Sequence, residues 1–189
     1  MGSFYTNVTV RTADQDSVVA YLTERGRRAF VSRPDGDALV VFDRDTEAQD
    51  YAVLRDLAED LARRFACTAL AVMNHDDDVL LYALCRNGQL IDEYNSAPAY
   101  FGEGRSSDDR GGDAEHLATL FGASSRADSL AALLELEAGT PGGVVFESQR
   151  HAQLVELLGS PRCAIGTGYD YLDAEEYPED YQAADFTRI

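Results

Sequence analysis

Residues 67–96 read CTALAVMNHDDDVLLYALCRNGQLIDEYNS. Three short apolar runs lie in this stretch, at 69–73, 79–85 and 89–94, joined by the acidic turn 74–78 and by Asn87-Gly88. Two apolar runs flanking Asn-Gly specify a hairpin, because the tight turn of that type needs positive φ at both central residues. The stretch therefore predicts three consecutive antiparallel strands, and the rest of the chain is placed around them.

Upstream, Phe4, Thr6, Val8 and Val10 alternate with Tyr5, Asn7 and Thr9, the period of a half-buried strand over 3–11. A helix is expected over 14–25, opened by Thr12 or Asp14, with Val18, Val19 and Leu22 on one face and Gly26 as its stop. Residues 28–32 and 38–43 flank Arg33-Pro34-Asp35-Gly36-Asp37 and form a second hairpin. A longer helix follows over 47–65, capped by Asp45 or Thr46, with Leu54, Leu57, Leu61 and Phe65 lining one face.

The order through residue 73 is thus βαββαβ, the split arrangement of a ferredoxin-like core, with both helices on one face of an antiparallel sheet. Adding the hairpin 79–94 beyond the fourth strand gives a six-stranded, mainly antiparallel α+β sheet. Its expected spatial order, numbering strands along the chain, is 6-5-4-1-3-2, which shields an open edge.

After residue 96 the texture changes. Residues 97–112 are rich in Gly, Ser and Asp and predict a loop, mobile between 103 and 112. Three short helices follow, at 113–121, 128–138 and 148–158, each closed by a glycine. Short strands are expected at 142–147 and 162–166, and Gly166-Thr167-Gly168 reads as a turn, since it lacks the rest of any phosphate-binding fingerprint. The closing segment alternates Tyr with acids and is expected to be exposed, or laid over the surface by its rings. The division is a sheet core at 1–96 and a helical annex with an acidic tail at 97–189, together one structural unit.

The formal net charge is −18, all 16 basic residues are Arg, and there is no Trp. Residues 1–66 carry 12 acids and nine Arg, whereas 67–189 carry 22 acids and seven Arg, so the excess acid belongs to the C-terminal two-thirds. Direct nucleic-acid binding is disfavoured, because it relies on cations displacing counterions from phosphate. A basic protein partner is favoured instead, met by a monomer or weak dimer. No run of apolar residues is long enough to span a bilayer, and the opening MGSFYTNVTVR alternates rather than forming a targeting signal; a bacterial, cytoplasmic protein is expected. Cys67, Cys85 and Cys163 contain no CxxC pair and read as buried free thiols.

Candidate contact residues are the tyrosines and acids that occur together: Tyr94, Tyr100 and Phe101 beside the loop, and Tyr169, Asp170, Tyr171, Glu175, Glu176 and Tyr177 in the tail. Tyr offers wide contact area with a polar tip, and nearby carboxylates select a basic surface. The leading expectation is a non-enzymatic binding module of inhibitor, immunity or adaptor type, with no cofactor. Its rival is a divalent-metal hydrolase or transferase built on His75, Asp76 and Asp78, with Glu103, Asp108 or Asp109 brought near by folding. A third reading is a nucleic-acid mimic. His116 and His151 stand in no zinc-like spacing, and no GxSxG elbow exists.

Overall fold

The computed structural model describes residues 2–11, 13–101, 106, 109–139 and 143–189. The chain is α+β, and its strands form one antiparallel sheet. In chain order the elements are β1 (Tyr5–Arg11), α1 (Gln15–Glu24), β2 (Ala29–Ser32), β3 (Ala38–Asp43), α2 (Tyr51–Arg64), β4 (Thr68–His75), β5 (Val79–Arg86) and β6 (Gln89–Asn95). Then come α3 (Ala114–Phe121), α4 (Ala127–Glu135), α5 (Glu147–Leu158), α6 (Tyr169–Asp173) and β7 (Phe186–Arg188).

The sheet order is β6-β5-β4-β1-β3-β2-β7. Six strands take the expected places, but the sheet has seven, not six. The seventh comes from the tail: Phe186, Thr187 and Arg188 pair with Ser32, Val31 and Phe30 on the outer edge of β2. The last three residues of the tail are thus built into the sheet, while Tyr169 and Leu172 lie over one of its faces, and Leu172 and Phe186 are buried.

Asn87 and Gly88 both have positive φ, 52° and 81°, so the β5–β6 hairpin turns as its sequence requires. The β4–β5 turn does the same without glycine, with Asp76 at 54° and Asp77 at 58°; Asp tolerates this region better than most side chains.

The second helix starts later than expected. Arg44–Ala48 forms a separate 3-10 turn, Gln49 closes it at φ 59°, and Asp50 caps α2 by accepting from the Ala52 amide at 2.9 Å. Neither Asp45 nor Thr46 opens α2. Asp50→Ala is therefore expected to lower stability by about 1 kcal/mol in urea unfolding, whereas Asp45→Ala, at an exposed site 3.8 Å from Arg27, changes it by less than about 0.5 kcal/mol.

Both faces of the sheet are covered. Val8, Val10, Leu39, Val41, Ala69 and Ala71 pack with Leu22, Leu54 and Leu61 under α1 and α2. On the other face, Leu70, Val72, Leu80, Tyr82 and Leu84 meet Leu117, Leu130, Leu134 and Leu154 of α3–α5. Phe30, Val40 and Phe42 meet Tyr169, Leu172 and Phe186 there too. This explains why β1 is buried from Tyr5 to Val10 rather than half-buried as its alternation implied.

Among the described residues, two expected strands do not form. Residues 143–146 are irregular and 162–164 a 3-10 turn. Half of the expected mobile stretch 103–112 lies outside the described residues, but its end is held: Gly111 bridges Tyr94, and the Gly112 amide donates to Glu93 O at 2.8 Å. The three cysteines are free and buried, and burial pushes their thiols up, Cys67 to about 11 and Cys85 and Cys163 to about 12, leaving them poor nucleophiles at neutral pH. No helix among the described residues is long and apolar enough to cross a membrane.

Candidate interaction surface

The β4–β5 turn organises one end of the molecule. Its acids accept hydrogen bonds from the segment leading into β1: Asp76 Oδ1 from the Gly2 amide at 3.0 Å, and Asp77 Oδ2 from the Ser3 amide and hydroxyl at 3.0 and 3.1 Å. Asn74 Nδ2 donates to Ser3 O at 2.9 Å and to Asp77 Oδ1 at 3.0 Å. Burial pushes the Asp77 carboxyl up, but bonds from Ser148, Ser3 and Asn74 outweigh it and hold the group below the usual carboxylate range.

This anchoring places Phe4 against His75, with ring centres 5.0 Å apart and edge to face. His75 also meets Phe101 at 5.3 Å and Tyr100 at 6.0 Å, and the Tyr100 hydroxyl donates to Asp78 Oδ2 at 3.3 Å. The Glu147 amide donates to Asp77 O at 2.9 Å, bringing Val145 and Phe146 to the same end. Gln149 Oε1 steadies that pair by accepting from both of their amides.

The outcome is a concentration of exposed apolar side chains. Phe4, Tyr100, Phe101, Val145 and Phe146 are 42–64% exposed, and the one other exposed large apolar residue among the described residues is Ile91, at 37%. Isolated exposed rings are ordinary, whereas a grouped patch marks an interaction surface.

The strip continues into the tail. The Tyr171 ring lies half-buried with its hydroxyl against the Phe4 backbone. Beyond it, Glu176, Glu179 and Asp180, with one opposing cation in Arg162, line a hollow of about 270 Å³ together with Tyr171 and Tyr177. Gly168 lets the start of α6 approach Glu47 and Tyr5: a Cβ there would lie 2.5 Å from Glu47 Oε1. Asp170, Glu175 and Glu176 are exposed on the same segment.

The sequence candidates therefore divide. Tyr100, Phe101, Asp170, Tyr171, Glu175, Glu176 and Tyr177 are at the surface or half-buried. Tyr94 and Tyr169 are in the core, 2% and 4% exposed. Tyr94 stacks on Tyr82 at 5.4 Å and donates its hydroxyl to Leu134 O, and Tyr169 packs on Phe30 at 5.2 Å. Phe4 and Phe146 belong to the strip although neither was singled out from sequence; an apolar ring beside a predicted strand end was their sole signal.

The expected metal ligands are otherwise engaged. His75 Nδ1 is 3.2 Å from Gln49 Oε1, and Asp76 and Asp78 accept from Gly2 and Tyr100. Glu103 and Asp108 lie outside the described residues, while Asp109 lines a different cleft. Among the described residues no group of three His, Cys, Asp or Glu side chains could hold a metal ion.

A buried polar seam lies behind the strip. Tyr5 and His151 are hydrogen-bonded at 2.9 Å, and burial drives the His151 imidazole down to about 3. Ser148, His151 and Asp77 are the residue types of a nucleophilic triad. Their wiring differs, because Asp77 takes the serine hydroxyl while the imidazole faces Tyr5, so nothing prepares the histidine as a base for the serine.

Fold and surface together define an acidic α+β protein with a seven-stranded antiparallel sheet, covered on both faces, that carries an aromatic strip at one end. No family model matches this sequence, and comparison with curated proteins and with solved structures yields no match.

Proposed function

We propose that this chain is a non-enzymatic protein-binding module, of inhibitor, immunity or adaptor type in the bacterial cytoplasm, that engages a basic protein surface. The observation that carries the reading is the exposed strip Phe4–Tyr100–Phe101–Phe146, edged by Asp76 and Asp78 and continued by the acidic hollow at Glu176, Glu179 and Asp180. Aromatic anchors supply contact area, and carboxylates at the rim steer a cationic partner and speed its encounter. The net charge of −18 argues in the same direction and against direct nucleic-acid contact. Buried, unpaired thiols suit a reducing compartment.

We also read β1–β4 with α1 and α2 as a ferredoxin-like split βαβ arrangement, supported by the order β4-β1-β3-β2, with β5, β6 and β7 as additions. Residues 1–96 and 97–189 are taken as one unit, since the cores beneath α3–α6 draw on both, working as a monomer or weak dimer.

The test is capture of partners from the source cytoplasm by the immobilised full chain, with washes of rising ionic strength. The parent is compared with Tyr100→Ser/Phe101→Ser and with Glu176→Gln/Glu179→Gln/Asp180→Asn. A partner held at low salt and released by high salt is expected. The aromatic pair should weaken its binding by roughly thirtyfold or more, the effect of losing an interface anchor. Capture that neither variant nor salt alters would overturn the reading.

A further inference from the structure

Between the start of α2 and the outer edge of β6 lies a cleft of about 680 Å³, within the range of small-molecule sites. Met73, Leu81 and Phe101 give it apolar walls, and Gln49, Arg55 and Arg110 bring hydrogen-bond donors. It shares Phe101 with the aromatic strip but opens beside the sheet edge.

The donors are in an unusual state. Gln49 Nε2 and Arg55 Nε are shielded from solvent and have no hydrogen-bond partner, a condition that destabilises a folded chain unless something accepts from them. Two arginines are held tightly by carboxylates: Arg27, to Asp43 at 2.7 and 2.8 Å, and the buried Arg150, to Glu147 at 2.7 Å. The contacts of Arg55 are looser, with Asp56 at 3.6 Å, Glu59 at 3.8 Å and Glu93 at 4.0 Å. Its guanidinium fork is thus not committed to any one carboxylate, although 34 acids are present in the chain.

Gln49 is held in place from two sides. It sits at φ 59°, a left-handed geometry that costs a non-glycine residue energy and that tends to be kept where a site needs it. Its Oε1 is engaged by His75 Nδ1 at 3.2 Å, leaving the amide nitrogen as the free end. Glu93 and Asp109 also line the cleft. Their charge disfavours a polyanion but leaves room for a single carboxylate beside Arg55.

We infer that this cleft binds a small monocarboxylate with an apolar or aromatic body, the carboxylate on Arg55 and Gln49 and the body against Met73, Leu81 and Phe101. The inference is independent of the protein-partner reading. A carboxylate matches the guanidinium fork in two parallel bonds, and the apolar walls supply the burial that a bare ion would lack.

The probe is 3-phenylpropionate titrated into the full chain by calorimetry and by NMR of the Gln49 side-chain amide, with 3-phenyl-1-propanol and inorganic phosphate as comparisons. Saturable binding of the carboxylate is expected, with the Gln49 amide resonances moving. The alcohol should bind roughly tenfold more weakly or worse, since it forfeits a charge-assisted pair, and phosphate should not compete. Arg55→Gln should lose a similar factor while keeping the parent's unfolding midpoint within a few degrees. Equal binding of acid and alcohol would reduce the cleft to an apolar crevice and overturn the inference. Competition by phosphate, or unchanged binding in Arg55→Gln, would overturn it as well. Were that variant to unfold, the comparison of acid with alcohol on the parent would still decide.

Discussion

Arg150→Met is expected to destabilise the fold by about 3–5 kcal/mol, the cost of stranding one member of a buried ion pair. Arg150 and Glu147 are 1% and 0% exposed at the side chain. Arg150 Nε donates to Glu147 Oε2 at 2.7 Å and Nη2 to Glu147 Oε1 at 3.2 Å. The same guanidinium donates to Leu133 O and, at 2.7 Å, to Leu136 O, so it satisfies carbonyls at the end of α4 that the helix itself cannot. Because the Glu147 amide donates to Asp77 O, the pair ties α4 and α5 to the β4–β5 turn and thus to the aromatic strip. The attraction between the two charges need not favour the fold overall, since both have lost water. The informative measurement is urea unfolding of Arg150→Met alone and combined with Glu147→Gln. A neutral amide costs less to bury than a stranded carboxylate, so the second change should restore part of the loss. An equal or greater loss in the double variant would show that the unsatisfied carbonyls, and not the stranded charge, dominate.

Glu47→Gln is expected to uncover a pH dependence that the parent conceals. Burial drives His151 from 6.5 down to about 3. Its folded value lies below the unfolded one, so its contribution is intact above about pH 6.5 and is lost as pH falls toward 3. Glu47 behaves oppositely. Burial raises its carboxyl from 4.5 to about 7 against the bonds it accepts from Tyr169 and Thr6, with Asp170 adding to the rise. Its contribution is complete below about pH 4.5 and is lost as pH climbs through 7. Each group changes stability by about 1.4 kcal/mol per pH unit inside its window. Between about pH 4.5 and 6.5 the two slopes oppose and nearly cancel. Removing Glu47 should leave the His151 slope, with stability falling by about 1.4 kcal/mol per unit as pH drops from 6.5 to 4.5 relative to the parent. At pH 8 the variant should be more stable than the parent by about 1–3 kcal/mol. Parallel stability curves for parent and variant across this range would refute the account.

Much of the sheet was legible because its cues are local. Asn87-Gly88 states its turn within two residues, Asp113 and Gly122 cap α3 as their types require, and the pairs β2–β3, β4–β5 and β5–β6 join sequence neighbours, while the place of β1 between β3 and β4 followed from the βαββαβ order. The break at Gln49 was not legible, since a cap is chosen by competition among Asp45, Thr46 and Asp50, and only the packing of α2 against the sheet selects among them. The strip was half-legible. Tyr100, Phe101 and Tyr171 stood out by their acidic company, but the same company surrounded Tyr94 and Tyr169, which a second layer of helices buries. Glu147 and Arg150 stand three apart on an ordinary polar helical stretch, where such pairs are normally exposed, and nothing nearby announces their burial.

What the sequence by itself determined is the set of elements and the order of six strands, through alternation, turn geometry and helix caps acting within a few residues. Tertiary structure alone decided that the sheet is covered on both faces, that Phe186–Arg188 completes it beside β2, and that Phe4, His75, Tyr100 and Phe101 meet at one end. The physical reason is distance along the chain. Edge pairing, second-layer burial and ring clustering depend on partners as far apart in the chain as Phe30 and Arg188, and no local pattern states which distant segment will supply the missing hydrogen bonds and apolar cover.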